Sequence, residues 1–240
     1  MDKQNLPKID EDSVVEVIKK EFKNLTLKEI FQYPAGWVHK KYRISFLEND
    51  DKVVLRFGAE KENVHFEDPH TADKEIYVSN LISKKTDVKV PNILSRGEYC
   101  GLEYLIIDDL DGPNLEEAGK MYSEQTILKI MYQWGGAMAQ IHNALKASNF
   151  GYIGFRGIVK PFNLWSEMFQ SYINVKFNSK VIPLELKDAA KNYIQKKVKT
   201  LDLERNPTLV LYDINSMNII VKDENLRGLI DFDLALYGHK

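Results

Sequence analysis

Residues 209–238 read LVLYDINSMNIIVKDENLRGLIDFDLALYG, and this segment carries the clearest pattern in the chain. Asp213, Asn218 and Asp231 stand in it at offsets of 0, 5 and 18 residues. Two short apolar runs, at 218–221 and 226–230, flank the polar residues 223–225, which is the pattern of a β-hairpin. A hairpin folds the chain back on itself, so we expect the amide of Asn218 and the carboxylate of Asp231 to meet at one point.

The residue types at these offsets indicate a particular chemistry. A carboxylate followed by an amide and a later carboxylate is typical of phosphoryl transfer in kinase-like folds. There one Asp accepts the proton of the attacking hydroxyl, and the other two groups hold Mg²⁺. Asp213 is therefore the candidate catalytic base, and Asn218 and Asp231 are the candidate metal ligands. The simpler alternative is that these residues only form turns or caps, which is their usual role between strands.

The surrounding residues narrow the class. A protein kinase of the eukaryotic type would read H-R-D and D-F-G, whereas this chain reads L-Y-D at 211–213 and D-F-D at 231–233. It resembles the aminoglycoside phosphotransferase family, which is related to choline, fructosamine and homoserine kinases and carries H-G-D-x-x-x-x-N and I-D-[FW]-[DE]. Leu211 and Tyr212 replace the family His and Gly. The resemblance implies a two-lobed kinase-like fold, ATP or GTP as the donor, and Mg²⁺.

Composition limits the remaining possibilities. The 240 residues are 44% hydrophobic, enough for one large domain or two lobes around a cleft. Lys and Arg number 33 against 35 acids, a formal net charge of −2, so neither a nucleic-acid surface nor an anionic membrane is indicated as a partner. The single cysteine, Cys100, suits a reducing cytoplasm. The first residues lack the apolar core of a signal peptide, and no run reaches the roughly 18 apolar residues of a membrane span. We expect a cytoplasmic protein.

The N-terminal half is predicted to form a small lobe. Apolar residues at helical spacing predict helices over 12–22 and 71–84. Alternating runs predict strands at 37–47, 52–57, 88–97 and 102–110, with a turn at 48–51. The order of three strands, a helix and two strands is that of the kinase-like N-lobe implied by the resemblance.

One cation in this lobe is a candidate phosphate contact. Arg56 ends the strand at 52–57, where protein kinases carry the lysine of V-A-I-K, and Glu75 near the start of the following helix is its expected partner. Such a pair would steady the α- and β-phosphates, although a guanidinium is a planar fork and an ammonium a compact charge. The alternative is a solvated strand-end charge and a helix-surface Glu.

Two further segments are candidate nucleotide contacts. Gly36, in the loop 33–39, would let backbone N–H groups approach phosphate oxygens. Residues 106–112 resemble the hinge between the lobes, so we expect Ile107 to contact the base and the backbone at Asp108 to bond it. Ordinary loop and core roles remain open for these residues. Acids at 108, 109, 111, 116 and 117 would suit a cationic substrate at the cleft or be solvated surface charges.

The C-terminal half is predicted to be mainly helical. Ser123 can cap a helix that runs to about residue 145, and residues 165–177 and 184–201 are expected to form substrate-side helices. Only nine residues follow Asp231. Family members continue with further helices, so either the C-lobe is cut short here or its acceptor site is built differently.

These observations predict an α+β, two-lobed fold with an N-lobe at 1–107, a hinge at 108–112 and a C-lobe at 113–240. The predicted activity is ATP-dependent transfer of the γ-phosphate to a hydroxyl of a small molecule, foremost an aminoglycoside-type or other amino-alcohol substrate. A choline, amino-sugar or homoserine type of kinase and a non-catalytic nucleotide-binding module are the alternatives. A protein kinase is disfavoured because no A-P-E segment follows Asp231.

Overall fold

The N-terminal part is built on a five-stranded antiparallel sheet. A computed structural model describes residues 9–34, 40–58, 71–154, 156–178, 182–203 and 205–240. The sheet has the order β1-β2-β3-β5-β4. Its strands are β1 (Leu27–Gln32), β2 (Lys40–Phe46), β3 (Lys52–Phe57), β4 (Ile93–Tyr99) and β5 (Leu102–Asp108). The alternation in β2 buries Tyr42, Ile44 and Phe46. The predicted hairpin of β2 and β3 is confirmed, while β1 was not delimited by the sequence patterns.

Two helices flank this sheet differently. Helix α1 (Glu11–Glu21) begins at the cap Asp10 and packs Val14 and Ile18 into the core of the sheet. Helix α2 (Thr71–Lys85) buries Val78 and Ile82 in a second core that includes residues of the C-terminal part. The second core therefore joins the two halves of the chain.

The strand predicted at 88–97 begins later than expected. Val88 and Val90 are buried in the second core rather than paired in the sheet, and β4 starts at Ile93. Pro91 explains the difference, because a proline has no N–H to donate to a strand ladder. The segment before β4 thus connects the sheet to the C-terminal part.

The C-terminal part is mainly helical, as predicted. Its helices are α3 (Leu115–Ala118), α4 (Glu124–Ala144), α5 (Trp165–Phe177) and α6 (Leu184–Lys197), the last continuing as a 3₁₀ turn, Val198–Leu203. Ser123 caps α4. A small sheet, not predicted from the sequence, has the order β7-β6-β11-β8, with β6 (Phe150–Gly154), β7 (Gly157–Phe162), β8 (Thr208–Val210) and β11 (Leu236–Gly238). No helix in the described ranges combines the length and apolar character needed to cross a membrane.

The hairpin predicted from residues 209–238 is present. Strands β9 (Ile219–Lys222) and β10 (Asn225–Leu229) pair antiparallel. Asp223 and Glu224 connect them with φ of 49° and 59°, the two left-handed residues of a type I′ turn. We call residues 219–229 the catalytic hairpin, after the role that the sequence predicts for it.

The catalytic hairpin is bonded to its surroundings on both sides. The N–H of Val221 donates to the carbonyl of Pro113 at 2.9 Å, and the N–H of Leu229 donates to the carbonyl of Lys89 at 3.0 Å. Gly112 permits the first contact, because a Cβ there would lie 2.1 Å from the Val221 carbonyl oxygen. The position of the hairpin is therefore fixed by residues 112–113 on one side and by the segment before β4 on the other.

Candidate active site

Asp213, Asn218 and Asp231 line one pocket, together with apolar neighbours such as Trp134 and Leu229. Asn218 ends the 3₁₀ turn Ser216–Asn218, which leads directly into β9. Its carbonyl accepts a hydrogen bond from the N–H of Ile230 at 3.0 Å. Because Ile230 precedes Asp231, this bond brings the two candidate metal ligands to the same end of the catalytic hairpin, as the offsets predicted.

Two amides hold the carboxylate of Asp213. Asn215 Nδ2 donates to Asp213 Oδ1 at 2.9 Å, and Asn218 Nδ2 donates to Oδ2 at 3.3 Å and to the Asp213 carbonyl at 3.1 Å. Asn215 is itself fixed, since its Oδ1 accepts the N–H of Met217 at 2.8 Å. Asn215 was not predicted as a site residue from the sequence, although an Asn whose side chain bonds the backbone two residues on is a common turn former.

Asp231 lies where the two halves of the chain meet. Its backbone is left-handed, with φ of 68°. Its Oδ1 is 3.3 Å from Nη1 of Arg56, and its Oδ2 is 2.9 Å from Nζ of Lys41. The carboxylate therefore accepts hydrogen bonds from side chains of β2 and β3, so the N-terminal sheet and the catalytic hairpin contribute to one site.

Arg56 and Glu75 form the expected ion pair. Both side chains are buried, at 6% and 4% exposure, and the guanidinium Nη2 contacts Glu75 Oε2. Burial, with a smaller contribution from the carboxylates of Asp231 and Asp233, raises the pKa of Glu75 to about 7 against the lowering effect of Arg56. The solvated alternative for this pair is excluded by the burial. Its role toward phosphates stays a prediction.

Lys41 is a second site residue that sequence reasoning missed, after Asn215. It stands opposite Arg56 in the register of β2 and β3. Counting outward from the predicted turn at 48–51 pairs Leu47 with Lys52 and would have placed Arg43 opposite Arg56. In the structure Ser45 pairs with Lys52, and this shift of two residues brings Lys41 opposite Arg56. No motif marks it, and its contact with Asp231 depends on how the sheet meets the catalytic hairpin.

The two departures from the family motif have structural counterparts. Leu211 is buried in the second core, where an apolar side chain suits its surroundings. Tyr212 adopts a left-handed backbone with φ of 65°, a conformation in which the family glycine would be unstrained. Its ring is half exposed, and its hydroxyl is 3.5 Å from that of Tyr172. Asp213 keeps its place in the pocket despite both replacements.

The hinge residues are engaged within the protein. Ile107 is buried in β5 opposite Val54. The backbone N–H of Asp108 donates to the carbonyl of Asn92 at 3.1 Å, and its carboxylate accepts the backbone and side-chain N–H groups of Asn92. The nucleotide contacts proposed for Ile107 and Asp108 stay predictions. Gly36 lies outside the described residues.

The acidic side chains near the predicted hinge are less available to a cationic substrate than the sequence suggests. Asp111 is bonded to Nζ of Lys52 at 2.7 Å and to Nζ of Lys222 at 2.8 Å. These bonds lower its pKa to about 2. Glu117 completes the capping box of α3 with Asn114. Much of this predicted patch is therefore committed to contacts within the protein.

Asn218 and Asp231 fit a magnesium ion by their chemistry. Amide and carboxylate oxygens are the hard ligands that Mg²⁺ prefers. Asp231 already attracts two cationic side chains, so positive charge is stabilised at this point. Within the described ranges, no group of three or more His, Cys, Asp or Glu is arranged to hold a metal. Phosphate oxygens and water would have to complete the coordination, as is usual for Mg²⁺.

A two-lobed architecture with two carboxylates and an amide in one pocket is typical of kinase-like proteins. The sequence profile described as the phosphotransferase enzyme family (APH) matches residues 29–239, so the chain belongs to this family. The predictions of the family and of an ATP-dependent phosphotransferase with a hydroxyl acceptor are confirmed at the level of the family. A comparison with curated protein sequences finds no match.

Solved structures confirm the predicted kinase-like fold. A thermostable mutant of aminoglycoside phosphotransferase APH(4)-Ia, in a ternary complex with AMP-PNP and hygromycin B, has a TM-score of 0.75 at 20% identity. The match covers 95% of this chain and 73% of that one. A gentamicin complex of APH(2")-IIa has a TM-score of 0.66 at 13% identity, covering 97% and 73%. At these identities the likeness concerns the fold.

Proposed function

We propose that this protein transfers the γ-phosphoryl group of ATP or GTP to a hydroxyl of a small molecule, with Mg²⁺ as the cofactor. One observation supports the proposal above others: Asp213, Asn218 and Asp231 line one pocket, and Asp231 also contacts the cations of the N-terminal sheet. A turn-forming role alone would not require these three side chains, spread over 18 positions, to line one pocket. The cytoplasmic location is part of the same proposal.

Asp213 is assigned the catalytic base. Its carboxylate accepts hydrogen bonds from Asn215 and Asn218, and these fix the plane of the carboxylate before a substrate arrives. A substrate hydroxyl that donates to Asp213 would be oriented for in-line attack, and the carboxylate would take its proton. Much of the rate in such a reaction comes from positioning rather than from covalent chemistry with the protein.

Arg56 and Asp231 are assigned to the charged end of the site, which would bind the metal and the phosphates. Asn218 and Asp231 would hold Mg²⁺, which supplies neutralisation of the phosphate charge when it is bound. Arg56 is oriented by buried Glu75, so its remaining N–H groups can be directed at phosphate oxygens. The protein therefore provides a preorganised set of charges at the place where a triphosphate would lie.

The acceptor is proposed as a small alcohol, with an aminoglycoside or another amino alcohol foremost. The fold neighbours include enzymes in complex with hygromycin B and gentamicin. The family includes relatives for other alcohols, so the acceptor is to be found by screening.

The decisive test is ADP release from ATP and Mg²⁺ over a panel of aminoglycosides, choline, amino sugars and homoserine. We expect one class to stimulate release, and Asp213→Ala to lower its turnover on the order of 10²- to 10⁴-fold with nearly unchanged ATP affinity. Asp223→Asn, in the exposed turn of the same hairpin, is the matched control and should behave as wild type.

Other outcomes would contradict the proposal in distinct ways. ATP binding with no transfer to any alcohol would favour a non-catalytic nucleotide-binding module. Phosphate on a test protein instead of a small alcohol would favour a protein kinase. Loss of nucleotide binding in Asp213→Ala would show that Asp213 has a structural role.

A further inference from the structure

The Asp231 carboxylate contacts two cationic side chains, of which one is buried and the other is partly exposed. Arg56 is held by Glu75 in a buried pair and has 6% of its side chain exposed. Lys41 approaches Asp231 more closely, at 2.9 Å against 3.3 Å for Arg56, and has 29% of its side chain exposed. A lysine ammonium sits on a flexible four-carbon stem, so Lys41 is the cation that can move away.

Lys41 lies where a metal ion would have to bind. Its Nζ donates a hydrogen bond to Oδ2 of Asp231, one of the two carboxylate oxygens of this candidate metal ligand. An ammonium ion and a dication close to one carboxylate repel each other, and partial burial leaves this repulsion poorly screened. Mg²⁺ also gives up its water reluctantly and is held weakly by one or two protein ligands.

From this geometry we propose that Lys41 is an internal counter-ion that keeps bare metal off Asp231 until the nucleotide arrives. The inference rests on the proposed function. In the nucleotide-free protein the ammonium holds the carboxylate in place. When the metal and the triphosphate enter together, the phosphate oxygens give Lys41 a new partner, so its displacement from Asp231 leaves no charge uncompensated. Lys41 is thus a positioning residue that favours binding of the metal–nucleotide complex over binding of the metal alone.

The proposal predicts that removing a side chain tightens binding, which a merely structural role would not do. Mn²⁺, followed by electron paramagnetic resonance, serves as the probe on the full nucleotide-free chain. We expect Lys41→Met to bind Mn²⁺ on the order of tenfold tighter than wild type, because one nearby positive charge is gone. Adding Asp231→Ala to this variant should abolish the gain, which localises the ion.

Two controls separate this effect from a general change in charge. Lys41→Arg keeps the cation and should bind Mn²⁺ as weakly as wild type. Lys28→Met removes an exposed lysine from β1 of the same sheet and should also leave the affinity unchanged. With AMP-PNP present the order should reverse, so that Lys41→Met binds the Mn²⁺ complex more weakly than wild type.

The result that overturns the proposal is a folded Lys41→Met protein with wild-type Mn²⁺ affinity. Should that variant fail to fold, as judged from circular dichroism, Lys41→Gln tests the same claim. Tighter Mn²⁺ binding without reversal by AMP-PNP would overturn the transfer of Lys41 to phosphate. A wild-type protein without phosphotransferase activity would refute the proposed function, whereas the Mn²⁺ titration tests Lys41 without any turnover.

Discussion

Replacing Arg56 with Met should make the stability of this protein strongly dependent on pH above neutrality. The replacement leaves Glu75 buried without its main partner, and the carboxyl will then keep its proton well above pH 7. In the wild-type protein the pKa of Glu75 is raised from 4.5 to about 7. Above pH 7 the wild-type native state therefore releases this proton, as the unfolded chain has already done, whereas the native variant retains it.

The sign and size of this pH dependence follow from the linkage between proton binding and folding. When only the native state holds the proton, the free energy of unfolding falls by about 1.36 kcal/mol for each pH unit. Relative to wild type, the free energy of unfolding of Arg56→Met should thus fall by up to about 2.7 kcal/mol between pH 7 and pH 9. Urea unfolding of both proteins at pH 7, 8 and 9 measures this difference in the free energy of unfolding.

A second variant identifies the responsible group. Arg56→Met combined with Glu75→Gln has no buried carboxyl at this position, so its stability relative to wild type should lack the added slope. Parallel profiles for wild type and Arg56→Met would refute the reasoning, because they would mean that Glu75 is not desolvated in the native state.

Three further predictions concern the hinge and the loop before Asp213. Gly112→Ala should lower the free energy of unfolding by about 1–3 kcal/mol in urea titrations, since its Cβ would meet the Val221 carbonyl oxygen at 2.1 Å. Tyr212→Gly should raise it by about 1 kcal/mol, because glycine is unstrained at φ of 65°; a loss of stability would show that the ring contributes more than the backbone costs. Asp111, with its pKa lowered from 3.8 to about 2, should stabilise the protein above pH 4 by at most about 1 kcal/mol for a half-exposed pair. The difference from Asp111→Asn should vanish as the pH falls through about 2, and added salt should shrink it.

Local patterns in the sequence predicted much of the fold. The apolar spacing behind Ser123 gave α4, and the polar residues between two apolar runs gave the catalytic hairpin. The small sheet of β6, β7, β8 and β11 was not predicted, because its strands are three to six residues long and β11 pairs with β6 and β8, which lie far from it in the sequence. Strand β4 was placed too early because the burial of Val88 in the second core has the same apolar signature as burial in a sheet.

The same holds for the candidate site: a pattern within one segment was predicted, and contacts between distant segments were not. Asp213, Asn218 and Asp231 were predicted because their spacing is a property of one segment. Lys41 was missed because its contact joins residues that are 190 positions apart and depends on how the sheet meets the hairpin. The pairing of the hinge acids, such as Asp111 with Lys222, was likewise invisible until the tertiary structure placed them together.

The bonds of the catalytic hairpin to Pro113 and Lys89 bear on how such a cleft could open. A rotation of one half against the other would leave these tethers near its axis, where atoms travel least, while the outer edge of the five-stranded sheet would swing furthest. Asp231, at the end of the hairpin, would then lie close to the axis of rotation and move little. ADP would then be exchanged for ATP by movement of the edge of the sheet, while the residues that line the pocket stay together.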